Sequence, residues 1–398
     1  MFRWSPDGRL LRFTVQDSKT NTSSLWEVGA DGTNPHPLLQ DWNASPAECC
    51  GNWSPDGRYF VFQSWRNGRS DIWITREENR ISGRSRSEPV QLTNGELSAL
   101  APVLSLDGKR IFFVGELRRG ELIRYDSKSQ QFVPCLSGIS ADLVNFSRDG
   151  KWATYVDYPQ GNLWRSKIDG SERLQLTFPP MHVGLSRWSP DGKQIAFTAA
   201  QPGRSWRIYL VQAAGGIAHE LDTGENNAVD PDWSPDGVSL SFGTRNTIML
   251  GDPLGTHLYT FDLRTQQVSP VADSNGKISP RWSPDGRYLA ALQSDYSKVL
   301  LFDFSSKKWT ELAKYPSFNL MWSRNGEYLY GDGSPLLNTP WFRIRINDHR
   351  LEELGTLKNV RRAWGTWGAW MGLTPDDSPM FLRDVGSQEI YGLELQEP

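Results

Sequence analysis

Trp233-Ser-Pro-Asp-Gly237 decides the fold, because the same string also stands at Trp4 to Gly8, Trp53 to Gly57, Trp188 to Gly192 and Trp282 to Gly286. Degenerate copies fill the gaps: Leu104-Ser-Leu-Asp-Gly108, Phe146-Ser-Arg-Asp-Gly150, Trp322-Ser-Arg-Asn-Gly326 and Leu373-Thr-Pro-Asp-Asp377. These nine copies recur every 40 to 51 residues, and self-similarity at such a period announces a repeat architecture. Each copy is turn chemistry: Pro presets φ, the Asp carboxylate can accept from nearby backbone N–H groups, and Gly tolerates a positive φ. An Asp that appears in nearly every module is expected to shape turns, since an active site is needed once.

A β-type run follows each motif, as in Tyr59 to Gln63 or Gln194 to Thr198, and then a second run with a central aromatic, as in Ile72-Trp73 or Ile208-Tyr209. A third run follows a turn, as in Pro89 to Thr93 or Arg173 to Thr177. With the residues that lead into the motif, each module makes a four-stranded antiparallel meander. One such sheet cannot bury both faces, so modules must stack, and a radial ring stacks them while leaving only short edges. The sequence therefore predicts an all-β chain, a β-propeller whose motif tryptophans fill the space between sheets. The motif, the Ile/Leu-aromatic strand and the Leu-Thr ending together resemble the TolB-like, WD-repeat-like propeller family over essentially the whole chain. That resemblance implies architecture and is almost silent about function.

Ring size depends on which strand completes the last module, which ends on Glu389 to Leu395. Donation by Pro35 to Leu39 gives eight blades, donation by Pro89 to Thr93 gives seven, and nine needs residues upstream of Met1. The charged, apolar-poor stretch Arg76 to Glu88 reads as a linker. It favours two N-terminal blades with their linker over residues 1–88 and a seven-bladed propeller over 89–398, the alternative being one eight- or nine-bladed ring over 1–398.

The formal net charge of −3 offers no global basic field to hold nucleic acid. No run of 18 apolar residues exists, so no membrane span is expected in this chain, and Met1-Phe-Arg-Trp-Ser opens directly on a strand. Three cysteines cannot build a disulfide framework; adjacent Cys49 and Cys50 are expected to pack as two small side chains in a loop, a strained vicinal bridge or a metal site being the alternative, and no metal or other cofactor is implied. The stretch from Ala47 to Trp53 and the ending from Arg361 to Tyr391 resemble the C-terminal propeller region of bacterial winged-helix, membrane-tethered transcriptional regulators. Membership there implies a sensory or interaction role in the periplasm, whereas a chain complete as given would be cytoplasmic.

Catalytic signatures are missing. No G-x-S-x-G elbow, phosphate loop or H-E-x-x-H occurs, and the five histidines fall in five different modules. The expectation is a non-enzymatic propeller that binds a protein or small-molecule ligand at one mouth. The alternatives are an accessory propeller gating a prolyl-oligopeptidase-like hydrolase encoded elsewhere, and a glycan-active enzyme. Tryptophans and arginines on the loops between blades are the candidate anchors. Trp65, Arg66, Trp206, Arg245, Arg361, Arg362, Trp364 and Trp367 form the expected site, at the mouth opposite the Ser-Pro-Asp-Gly turns. Trp42, Arg69, Arg204 and Trp341 lie on similar loops, and His182 sits between two blades on that face.

Overall fold

The computed structural model describes residues 2–17, 20–43, 46–66, 68–80, 83–224, 227–244, 256–333 and 340–395. Among them, regular structure is β throughout apart from one 3-10 turn at Leu136–Gly138, and the strands form nine antiparallel sheets, seven of them four-stranded. The all-β expectation and the module meander therefore hold.

Each motif closes the hairpin between the first two strands of its module, and its Ser and Asp side chains are bonded to each other and to the turn backbone. Ser234 Oγ donates to Asp236 Oδ1 at 2.6 Å, the same oxygen accepts from the Val238 N–H at 3.0 Å, and Ser234 Oγ accepts from the Ser239 N–H at 2.9 Å. The same bonds recur at Ser5, Ser54, Ser105, Ser147, Ser189 and Ser283, with Asn325 standing in for Asp beside Ser323. The motif glycines take φ between 70° and 75°, which L side chains rarely adopt. Hydroxyl and amide donors hold the Asp236 carboxyl below its ordinary range.

Motifs also lock to one another. A Cβ on Gly237 would lie 3.7 Å from Pro190, one on Gly286 3.6 Å from Pro235, one on Gly326 3.4 Å from Pro284 and one on Gly150 3.2 Å from Pro375, so each glycine sits on the proline of the motif before it. The tryptophans face the same way: Trp233 Nε1 donates to Arg187 O at 3.1 Å and Trp322 Nε1 to Arg281 O at 3.0 Å, each reaching into the preceding sheet.

The chain forms two compact units, Met1–Arg118 with Pro202–Arg204 and Gly386–Pro398, and Arg119–Gln201 with Ser205–Val385. The first contains three sheets. In the second, the innermost strands touch in a closed circuit, from Ala141–Phe146 through His182–Trp188, Ala228–Trp233, Lys277–Trp282, Asn319–Trp322 and Met371–Leu373 back to Ala141–Phe146. That circuit contains six sheets.

The expected boundary at 88/89 is corrected to 118/119. Arg76 to Glu88 is not a linker: Arg69–Arg80 runs on as a long strand and folds back on Gly83–Arg86, pairing Glu77 with Arg86. The proposed donor strands close nothing at the far end, since His36–Pro37 stays in the first sheet and Val90–Gln91 in the second. Instead the third and ninth modules exchange halves. Arg110–Leu117 pairs with Ser387–Glu394 in the first unit, while Gly120–Asp126 pairs with Pro379–Asp384 in the second. Cys49 and Cys50 are also corrected, to a vicinal disulfide; Cys50 has φ 60° in an irregularity between Cys49 and Asn52, which turns consecutive thiols toward each other.

Candidate functional site

The six-sheet unit has two mouths of different construction. At the motif side a cavity of about 410 Å³ opens, walled by residues from all six motifs. Four residues of its wall stand just before a motif aromatic: Asn145, Arg187, Asp232 and Met321. Two of these side chains also tie sheets together, Asn145 accepting from the Trp188 N–H at 3.0 Å and Asp232 from the Trp282 N–H at 2.7 Å. Arg187 Nε lies 3.4 Å from Asp232 Oδ1, and deeper in, Arg281 Nη1 donates to Asp230 at 2.8 Å. Burial pushes the Asp232 carboxyl up, against the pull of the two guanidiniums.

The rim is apolar and cationic. Pro190, Pro235, Pro284 and Pro375 supply apolar surface, and arginine replaces the motif proline at Arg148 and Arg324, both exposed. Arg324 is fixed: its backbone N–H binds the Asp377 carboxylate at 3.0 and 3.2 Å, Nη1 donates to Pro375 O at 3.1 Å, and Nη2 to Arg148 O. These rim arginines are the feature that reading for loop tryptophans missed. Their signal was in the sequence as a departure from the motif.

The opposite mouth, where the site was expected, is crossed by the connection 356–370 that leads into Met371–Leu373. Thr366 Oγ1 meets His182 Nε2 at 2.7 Å, the Trp367 ring packs edge-on to Trp206 at 5.1 Å, and a Cβ on Gly184 would fall 2.2 Å from Trp367 Nε1. Gly365 passes directly over Asp142, where a Cβ would lie 2.0 Å from Oδ2. Arg362 is interior, bound to Asp332 Oδ2 at 2.6 Å and donating to Trp370 O at 2.7 Å. Burial pushes the Asp142 carboxyl up to about 7, opposed by its bond from the Leu143 N–H and by the Arg362 charge. Burial also lowers the His182 pKa.

The structure thus brings Trp206, Arg361, Arg362, Trp364 and Trp367 into one unit, but in different roles. Trp206 is 6% exposed and Arg362 is engaged in the interior, so both are packing residues and are removed from the binding surface. Trp364 is 47% exposed, and Arg361, also solvent-facing, pairs with Asp384 at 2.9 Å. Trp65 and Arg66 belong to the other compact unit. There Arg66 lies 3.9 Å above Trp42 and 4.8 Å above Trp73, a cation–π stack within the fold, and Arg69 pairs with Asp71 at 3.0 Å. Trp341, 1% exposed, is core. Arg245 lies outside the described residues.

No protein-family model matches the chain. Over 329 residues, 76% of its length, it is 22% identical to dipeptidyl-peptidase 5 of Porphyromonas gingivalis, of which it covers 46%. Over 304 residues, 75% of its length, it is 24% identical to the Tol-Pal system protein TolB of Francisella tularensis, of which it covers 56%. It therefore spans about half the length of these relatives. A solved structure from Agrobacterium tumefaciens assigned as TolB superposes with a TM-score of 0.53 at 16% identity, covering 67% of this chain and 98% of that one. The architecture is that of a TolB-like β-propeller.

Proposed function

We propose that the six-sheet unit is a non-enzymatic binding module that takes a segment of a partner protein, or a small ligand of similar chemistry, into its motif-side cavity. The observation that carries this reading is the cavity of about 410 Å³ to which every motif of the unit contributes, with arginines at two proline positions of its rim. Concave sites with apolar walls and a few convergent polar groups are where proteins most often bind. The motif carboxylates are engaged in turns, which favours recognition over turnover at the motifs. The resemblance of the chain's ending to membrane-tethered regulators adds a sensory role, in which ligand capture here would be the input. A second reading, an accessory propeller serving a hydrolase, is favoured by the peptidase-named relative, and it uses the same cavity as a gate.

The test is selection of peptides from a random display library on the full chain, followed by titration of the selected peptides into the Arg148→Glu/Arg324→Glu double variant. The expected result is a loss of affinity of about tenfold or more, as removal of an anchoring arginine typically produces. Peptides that bind this variant unchanged, yet fail to bind Trp364→Ala, would move the site to the opposite mouth and overturn the reading.

A further inference from the structure

Cys49 and Cys50 are consecutive, and the bridge between them joins Cα atoms only 3.8 Å apart, the spacing that a trans peptide imposes. Ordinary disulfides span about 4.4 to 6.8 Å between Cα atoms, and bridges held outside that span are the more readily reduced. The bridge also encloses no intervening residue, so in the loop-closure account it removes almost no freedom from the unfolded chain. Cross-linking the fold is therefore not its use.

The strand does not need the bridge either. Cys50 takes φ 60° one residue into a register irregularity between Cys49 and Asn52. The same irregularity, with a positive φ at the same place, recurs at Ala101 (φ 52°), Leu143 (φ 55°), Asp230 (φ 57°) and Ser279 (φ 56°), each on the first strand of its sheet. The residues before these are Leu100, Asp142, Val229 and Ile278, so the bulge forms without any sulfur. It is a property of the module, and only at Cys49 and Cys50 does the sequence place two thiols on it.

Neighbours fix the frame on either side. Asn52 accepts from Arg3 Nε at 2.7 Å and donates to Pro102 O at 2.8 Å. Gln63, paired with Cys49, accepts from the Ala101 N–H at 3.0 Å. The Phe60 ring lies so near Gly51 that a Cβ there would fall 2.2 Å from it. A strand held in this way keeps the two sulfurs side by side when the bond between them is open, so closing it again needs no search. Both cysteines are half-buried, not sealed in the core.

The geometry points to a site of reversible thiol–disulfide exchange at Cys49–Cys50, with a dithiol as its co-substrate. One thiol of the dithiol, having lost its proton, attacks a cysteine sulfur; the bond between the two cysteines breaks as a mixed disulfide forms, and the other cysteine leaves as a thiolate that takes up a proton. The second thiol of the dithiol, likewise deprotonated, then displaces the remaining cysteine, which is protonated in turn, and closes the dithiol's own disulfide. The protein gains two electrons and two protons, and the dithiol loses the same. Cys135 takes no part, because burial pushes its thiol up to about 12 and leaves it almost no thiolate near neutral pH. Cys49 and Cys50 belong to the three-sheet unit, and the inference is independent of the binding role proposed for the other.

The test incubates the full, air-oxidised chain with dithiothreitol in the absence of denaturant, then alkylates, digests and weighs the peptide that carries both cysteines. Both should be alkylated, with the far-UV circular dichroism of the reduced chain unchanged, and both should escape alkylation when oxidised dithiothreitol is supplied first. In Cys50→Ser the remaining Cys49 has no neighbour to resolve a mixed disulfide, so oxidised glutathione should leave one glutathione on Cys49. The reduced wild type should release that glutathione and recover its bridge. A bridge that yields only in denaturant, a fold lost on reduction, thiols that fail to pair again in oxidised dithiothreitol, or a folded Cys50→Ser that captures no glutathione would each overturn the inference. The wild-type measurements decide by themselves if the variant does not fold.

Discussion

Asp142 offers the sharpest test of how the connection 356–370 is seated. Its carboxyl is buried under Gly365, accepts one hydrogen bond, from the Leu143 N–H at 2.8 Å, and feels an Arg362 guanidinium that is already bound to Asp332. Burial is the largest influence, and it moves the pKa from 3.8 to about 7. A pKa moved that far corresponds to about 4 kcal/mol of linkage at full ionisation. The sign follows from proton uptake: the folded state holds this proton more tightly than the unfolded state. The contribution is therefore fully present below about pH 4 and is lost as pH rises through about 7. Asp142→Asn keeps an acceptor for the Leu143 N–H and removes the ionisation. Urea denaturation of both proteins from pH 5 to pH 8, followed by tryptophan fluorescence, should show the variant gaining on the wild type by about 2 to 3 kcal/mol, the part of the linkage that is lost between pH 5 and the folded-state pKa of about 7. Parallel pH profiles for the two proteins would refute the reasoning, because they would mean that the carboxyl ionises in the folded state as it does in solvent.

Asp236→Ala removes the acceptor of the Ser234 hydroxyl and the Val238 N–H, and should lower stability by about 1 to 3 kcal/mol while leaving peptide binding at the cavity intact. Gly237→Val at φ 73° should cost a similar amount by forcing a branched side chain into the left-handed region, measurable as a fall in thermal midpoint. Trp364→Ala should leave the thermal midpoint nearly unchanged, whereas Trp367→Ala, which empties a contact with Trp206 and Gly184, should destabilise by about 2 to 3 kcal/mol. Equal losses for the two indoles would show that the connection is packed differently.

The repeat unit was legible because its determinants are local. Ser234, Asp236, Gly237 and Ser239 lie within six positions, and the bonds among them follow from residue type and spacing alone. What escaped was decided at long range. The exchange between the third and ninth modules occurs where Leu117 faces Ser387 and Gly120 faces Asp384, so the crossing is confined to two short gaps, Arg118 with Arg119 and Val385 with Gly386. Either partner would continue the same alternation of apolar and polar residues, and no local pattern distinguishes them. The linker reading failed for a related reason: a polar arm that pairs with itself through Glu77 and Arg86 needs no apolar core, and so it carries no strand signature.

The candidate site was harder to read because tryptophan has two uses in this fold. Trp364 is exposed, Trp367 packs partly and Trp370 is buried, although the three are evenly spaced in one Gly-rich segment. Spacing cannot separate them, since the segment is neither strand nor helix and has no fixed face. The informative positions were the departures from the repeat. Where a proline is replaced by Arg148 or Arg324, the turn survives on its Ser and Asp or Asn bonds, and the freed position carries a charge to the rim. The residue before a motif aromatic varies from Asn145 to Arg187, Asp232 and Met321 for the same reason: the turn does not constrain it, and these four stand in the cavity wall. In a repeat of this kind the recurring residues build the scaffold, so recognition has to be written in the positions where the copies disagree.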